Sequence, residues 1–308
     1  MLSGILPITF AVLDHLALAL ICALAVAALW TSPSATQDEN AKRTKLLILL
    51  CIVTFFTAVV ELWLRAAVMA DVSLAEAWSF MPKVLSHSDY GFYWFIRIAA
   101  WSVLVGASIW ILRRGWRVYQ TSLVLLSTLL IILLKSANSH AGEEGVYSIP
   151  NLMNWAHLIS TYLWGGMVTI YAILLLPMLV NQSASLRLTC AIERLSTMAG
   201  IALAVVLITG IYNTWNQLNT LSDFWLTDYG QVLAIKLACV SLMILVGSLN
   251  RFLWVPELIA WLQDNNHQWG LLGARFLKIL KLDSLVFVAV LVAAVVLGTE
   301  SPPIHEVQ

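Results

Sequence analysis

The run "ILPITFAVLDHLALALICALAVAAL", residues 5–29, is longer than the roughly 20 apolar residues a helix needs to cross a bilayer, yet it carries Asp14 and His15 near its centre. At 1.5 Å per residue the pair sits about 15 Å in, close to the midplane of a ~30 Å hydrocarbon core. Ionisable groups are costly there and turn toward other helices. No Lys or Arg precedes the run, and it exceeds a usual signal core, so it is expected to be a first membrane span and not a cleaved leader.

The rest of the chain repeats this pattern. Of its 308 residues 60% are hydrophobic and 11% charged, far from the roughly 25% charged residues of a soluble domain. Further apolar runs occupy 46–69, 92–112, 122–134, 151–175, 197–215, 232–253 and 276–297. The expected fold is an all-α integral membrane protein, a bundle of about eight transmembrane helices. Residues 1–135 would form an N-terminal four-helix half and residues 136–308 a C-terminal one, with no soluble domain. The fourth run is the shortest and needs residues 116–121 as an interfacial start.

Basic residues retained on the cytoplasmic side set the orientation. Lys42, Arg43, Lys45, Arg113, Arg114, Arg117, Arg187, Arg194, Arg251, Arg275, Lys278 and Lys281 fall in or beside loops one, three, five and seven. Only Lys83 and Lys135 fall in the even loops, so both termini are expected to be periplasmic. Residues 256–275 read as an amphipathic segment on the cytoplasmic interface. The four cysteines show no paired spacing, and there is no GxxxxGK phosphate loop, which argues against a disulfide frame and against ATP-driven pumping.

With this topology His15, His87, His140, His157 and His305 lie in the membrane or outside it, and His267 faces inward. Met153 and His157 are four apart on one helix face. Imidazole and thioether are ligands copper accepts. "NSHAGEEG", residues 138–145, adds His140 ahead of Glu143 and Glu144 in an outer loop that also reads as a solvated turn. Glu61 lies as deep as Asp14, and with Arg65 at i+4 an ion pair between them is expected. Arg65, Arg97 and Lys236 together outnumber the two acids, which counts against a simple cation path.

Four stretches taken in order are more specific: "SHAG" at 139–142, "HLISTYLWGGM" at 157–167, "ERLSTMAGIALAVVLITGIYN" at 193–213 and "TDYGQVLAIKLACVSLMILVGSLNRF" at 227–252. In these the chain resembles the copper resistance protein D (CopD) family of inner-membrane proteins. The resemblance implies eight spans, a bacterial cytoplasmic membrane and copper handling beside a periplasmic CopC-like copper-binding partner, here a separate polypeptide. It also implies that "KLDSLV" places the family's acidic position of the last span at Asp283.

Copper movement across the membrane, with uptake from the periplasm, is the leading expectation. The metal contacts would be His140, His157, His15 and Met153, with Asp14, Glu61 and Asp283 as an ion path or charge cluster. The protein would be a transporter and not an enzyme, partnered by lipid and not by nucleic acid. Two alternatives remain. One is a redox protein holding a b-type haem between His15 and His157, with Arg97 or Lys236 near the propionates. The other is a non-transporting membrane partner of a periplasmic copper carrier.

Overall fold

A computed structural model describes residues 4–31, 35–180, 186–218, 220–264, 270–300 and 303. His267 and His305 lie outside the described residues, as does the C-terminal residue Gln308. The protein is an all-α, multi-pass membrane protein, and eight of its described helical segments are long and apolar enough to cross a membrane.

The chain forms α1 (Ile5–Thr31), α2 (Gln37–Ala70), a short helix α3 (Met81–His87), α4 (Asp89–Arg114), α5 (Val118–Ala137) and α6 (Ile149–Ile170). There follow α7 (Leu176–Val180), α8 (Leu186–Trp215), α9 (Asp223–Leu226), α10 (Asp228–Leu249), α11 (Val255–Asp264) and α12 (Gly270–Leu297). The α6–α7 and α10–α11 junctions are single π-helical turns, Tyr171–Leu175 and Asn250–Trp254.

Local chemistry explains several starts and stops. Thr36 and Glu39 form a reciprocal capping box ahead of α2. Ser88 and Thr227 each accept a bond from the backbone N–H three residues on, opening α4 and α10. Gly115, at φ 77°, closes α4.

The fourth span starts at Val118, and Trp116 just before it is buried, with its indole N–H on Thr44 Oγ1 at 3.0 Å. The stretch 256–275, expected as an interfacial loop, is helical through Asp264 and again from Gly270. Proline there does not end the helix, because it follows a π turn whose wider backbone has room for its ring.

The chain divides into two compact units, Met1–Ile159 and Ser160–Gln308. In the first, α1 packs on α2 and α5, and α4 on α2 and α5. In the second, α12 packs on α10, α11 and both π turns.

Candidate functional site

Four charges from four helices, Asp14 and Arg97 buried and Glu61 and Lys135 half-buried, meet in the N-terminal unit. Asp14 (α1) is fully buried, 0% exposed, and accepts from Thr57 Oγ1 at 2.7 Å, from Lys135 Nζ at 2.9 Å and from Arg97 Nη2 at 3.3 Å. Glu61 (α2) accepts from Arg97 Nη1 and Lys135 Nζ, each at 2.7 Å. Each cation therefore bridges both carboxylates, and the ring of four is neutral. Helical side chains lean toward the N-terminus of their helix. Lys135, near the end of α5, consequently runs back into the span instead of out into the loop.

This arrangement corrects two expectations. Glu61 pairs with Arg97 and Lys135, across helices, and not with Arg65 one turn away. Arg65 is exposed, its guanidinium 5.5 Å from the centre of the Tyr90 ring. Lys135 is a network member and not a loop charge. The excess of cations read from sequence disappears in this unit: Arg65 is at the surface and Lys236 belongs to the other unit, which leaves Arg97 and Lys135 against Asp14 and Glu61. Thr57 had no sequence signal beyond its place on the buried face of α2.

At the C-terminal end of α5 the chain folds back tightly. Ser136 Oγ donates to Asn151 Oδ1 at 2.7 Å, Asn151 Nδ2 donates to Val146 O at 2.7 Å, and Asn154 Nδ2 donates to Ser136 Oγ at 2.8 Å. Trp155 donates to Leu129 O at 3.0 Å. These bonds tie the first turns of α6 to α5 and fix the loop between them. Gly142 of the "SHAG" stretch lies against the Ala137 carbonyl, where a Cβ would overlap it, so no larger residue fits this turn. His140 is thereby held on an exposed 3-10 turn, Nδ1 at 2.9 Å from Glu143 Oε1.

Met153 and His157 follow on α6, both half-buried, His157 about 12 Å in from Ile149. His15 is half-buried on α1 next to Asp14. Among the described residues no three His, Cys, Asp or Glu side chains gather into a group able to hold a metal ion.

The C-terminal unit contains the remaining acidic candidate, Asp283, on α12 and 2% exposed. Its Oδ1 has no hydrogen-bond partner among the described residues. Gly165 on α6 sits against the Phe287 ring, where a Cβ would overlap it, so the small residue permits a close helix approach. Arg251 donates to the carbonyl of Ser196, joining α8 to the second π turn.

The copper resistance protein D-like N-terminal domain matches residues 1–149, and the copper resistance protein D family matches residues 190–297. Among relatives, the chain is 27% identical over 252 residues to "Copper resistance protein D" of Pseudomonas syringae pv. tomato, covering 80% of this chain and 79% of that one. It is 24% identical over 228 residues to "Copper transport protein CutJ" of Bacillus subtilis (strain 168), covering 70% of this chain but only 41% of that protein. No solved structure matches. Two matches in sequence order thus take in both ends of the fold, the four-charge network and SHAG turn in one and Asp283 in the other, and the chain belongs to the copper resistance protein D family.

Proposed function

We propose that this protein moves copper across the bacterial cytoplasmic membrane, taking it up from the periplasmic side, with both chain termini periplasmic. The observation that carries the reading is the braced outer turn: a serine-asparagine network fixes the start of α6 against α5 and so holds His140 at the surface above Met153 and His157 on the helix that follows. Imidazole and thioether suit copper, and a ladder of weak sites passes an ion on where a closed cage would retain it. The relatives' names, copper resistance and copper transport, support the same cargo.

Electrostatics agree with this. The four-charge ring sums to zero, so it presents no net repulsion to a cation entering the N-terminal unit. A negative-inside potential favours inward movement of Cu⁺ by about 2.3 kcal/mol per 100 mV, so uptake needs no nucleotide. A periplasmic CopC-like protein is the partner we assign to the outer turn. The haem reading loses Arg97, which is taken up by Asp14 and Glu61, and is left with Lys236 alone for the propionates.

The test is cellular copper accumulation at matched expression. His157→Met should retain more uptake than His157→Leu, because a thioether still binds Cu(I). His140→Ala should reduce uptake with unchanged protein level. If His157→Asn or His157→Gln instead restores uptake best, His157 is a hydrogen-bonding residue between helices and the ligand reading fails.

A further inference from the structure

Two helices of the C-terminal unit widen in the same way. In "YAILLLP" and "NRFLWVP" the π turn begins at Tyr171 and Asn250 and a proline follows six residues later, Pro177 and Pro256. Leu176 N–H bonds to Tyr171 O and Val255 N–H to Asn250 O, five residues back. Proline has no N–H to give, so a carbonyl about one turn earlier loses its helical partner. Inside a bilayer such a carbonyl must be served from within the protein. Both π turns pack against α12.

Asp283 lies on that helix, about 20 Å from its first residue Gly270. Contact between Gly165 and Phe287 fixes the register of α6 against α12. Spans five and eight run in opposite directions, so Asp283, one turn from Phe287, is level with Thr169 and about half a turn from Tyr171. Asn250 is buried, with an Oδ1 that also has no partner. Tyr229 and Leu233 pack with Leu297, which puts Asn250 about one to two turns inward of Asp283.

The nearby donors are thus carboxylate, amide and peptide oxygens. The groups that could neutralise Asp283 lie elsewhere: by the same register Lys236 is at least about 10 Å outward, and Arg251 is exposed and bound to Ser196. Tyr171 and Glu257, on the other packed elements, carry no positive charge, and Lys281 on α12 itself is exposed. Ser284 spends its hydroxyl on Leu280 O at 2.7 Å.

A lone carboxylate inside a span is costly until a positive charge joins it. We propose that Asp283 is the carboxylate of a binding site for a hard monovalent cation, a proton or a sodium ion, walled by the two proline-linked π turns. Oxygen donors select such ions, and the soft ligands this register brings near, Met243 on α10 and Met167 on α6, are two thioethers with no imidazole or thiolate beside them. The site goes beyond the copper reading and does not depend on it: copper could be bound elsewhere, or not at all, and Asp283 would still need its cation.

Dicyclohexylcarbodiimide, a lipophilic reagent that modifies protonated carboxyls, tests this on the purified full-length protein, with the modified peptide located by mass spectrometry. Asp283 should be labelled at low pH in sodium-free buffer. Labelling should fall by about tenfold per pH unit once the carboxyl ionises. If sodium chloride protects and choline chloride does not, the cation is sodium; if neither does, it is the proton. Asp283→Asn should lose the label while its thermal unfolding no longer responds to pH or sodium through this group. Absence of label at every pH without sodium, or protection by Cu(I) alone, overturns the proposal, and neither result bears on copper uptake by the N-terminal residues.

Discussion

The two units treat buried charge in opposite ways. In the N-terminal unit two carboxylates share two cations so completely that every partner is bridged twice. The C-terminal unit buries Asp283 with one oxygen unmatched and closes its helices by steric fit, Gly165 against Phe287. A saturated network fixes helices in one arrangement, whereas an unsaturated carboxylate is open to a mobile cation. The family match spans both, so one polypeptide carries a charge used as a fastener and a charge left available.

Substitutions can break that contrast. The largest effect is expected for Lys135→Met, which leaves Asp14 and Glu61 sharing a single guanidinium. Removing one member of a buried ion pair costs about 3–5 kcal/mol, read as thermal unfolding of the purified protein in detergent. Adding Asp14→Asn to Lys135→Met leaves a neutral Arg97–Glu61 pair and should recover most of the loss. A single-variant cost under about 1 kcal/mol would mean that the network is not a fastener.

Next comes Gly165→Ala, whose methyl must displace the Phe287 ring. Overpacking of this kind costs about 1–3 kcal/mol, and Phe287→Leu in the same chain should return part of it. The smallest effect is expected for Asp283→Asn, within about 1 kcal/mol of the parent or more stable, because it removes a lone buried charge and strands no partner. A loss as large as that of Lys135→Met would show that Asp283 is paired and would erase the difference between the units.

Much of this was legible in the sequence. Apolar runs of about a bilayer's thickness can do little else than form spans, and each expected run, the short fourth included, lies within an observed helix. Asp14 and Glu61 were recognisable as buried from depth alone. Their partners were not. The i,i+4 rule favours Arg65 for Glu61, but it describes isolated helices, and the cross-helix cations win because they satisfy two carboxylates at once. Lys135 was hidden because the apolar run stops at Leu134, whereas the helix continues to Ala137 and the side chain turns back into the span. Charge counting hid it too, because Arg65, Arg97 and Lys236 already outnumber the two deep acids. Proline at 177 and 256 likewise marked where the helices widen, but the π turns that accommodate them follow from packing on α12. His140 was visible as a donor, while the brace that holds it depends on Ser136, Asn151 and Asn154, unremarkable polar residues until the chain brings them together.

The four-charge ring also bears on how the chain is built into the membrane. Asp14, Glu61, Arg97 and Lys135 lie on the first four spans in order of synthesis, one charge each. After two spans the nascent protein holds two uncompensated acids; after three, one; only the fourth restores neutrality. That fourth helix is the shortest and least apolar of the eight, the one with the weakest reason of its own to leave water for lipid. The one negative charge still uncompensated supplies the attraction its composition lacks, so the last helix of the set is drawn in by the charge deficit of those before it.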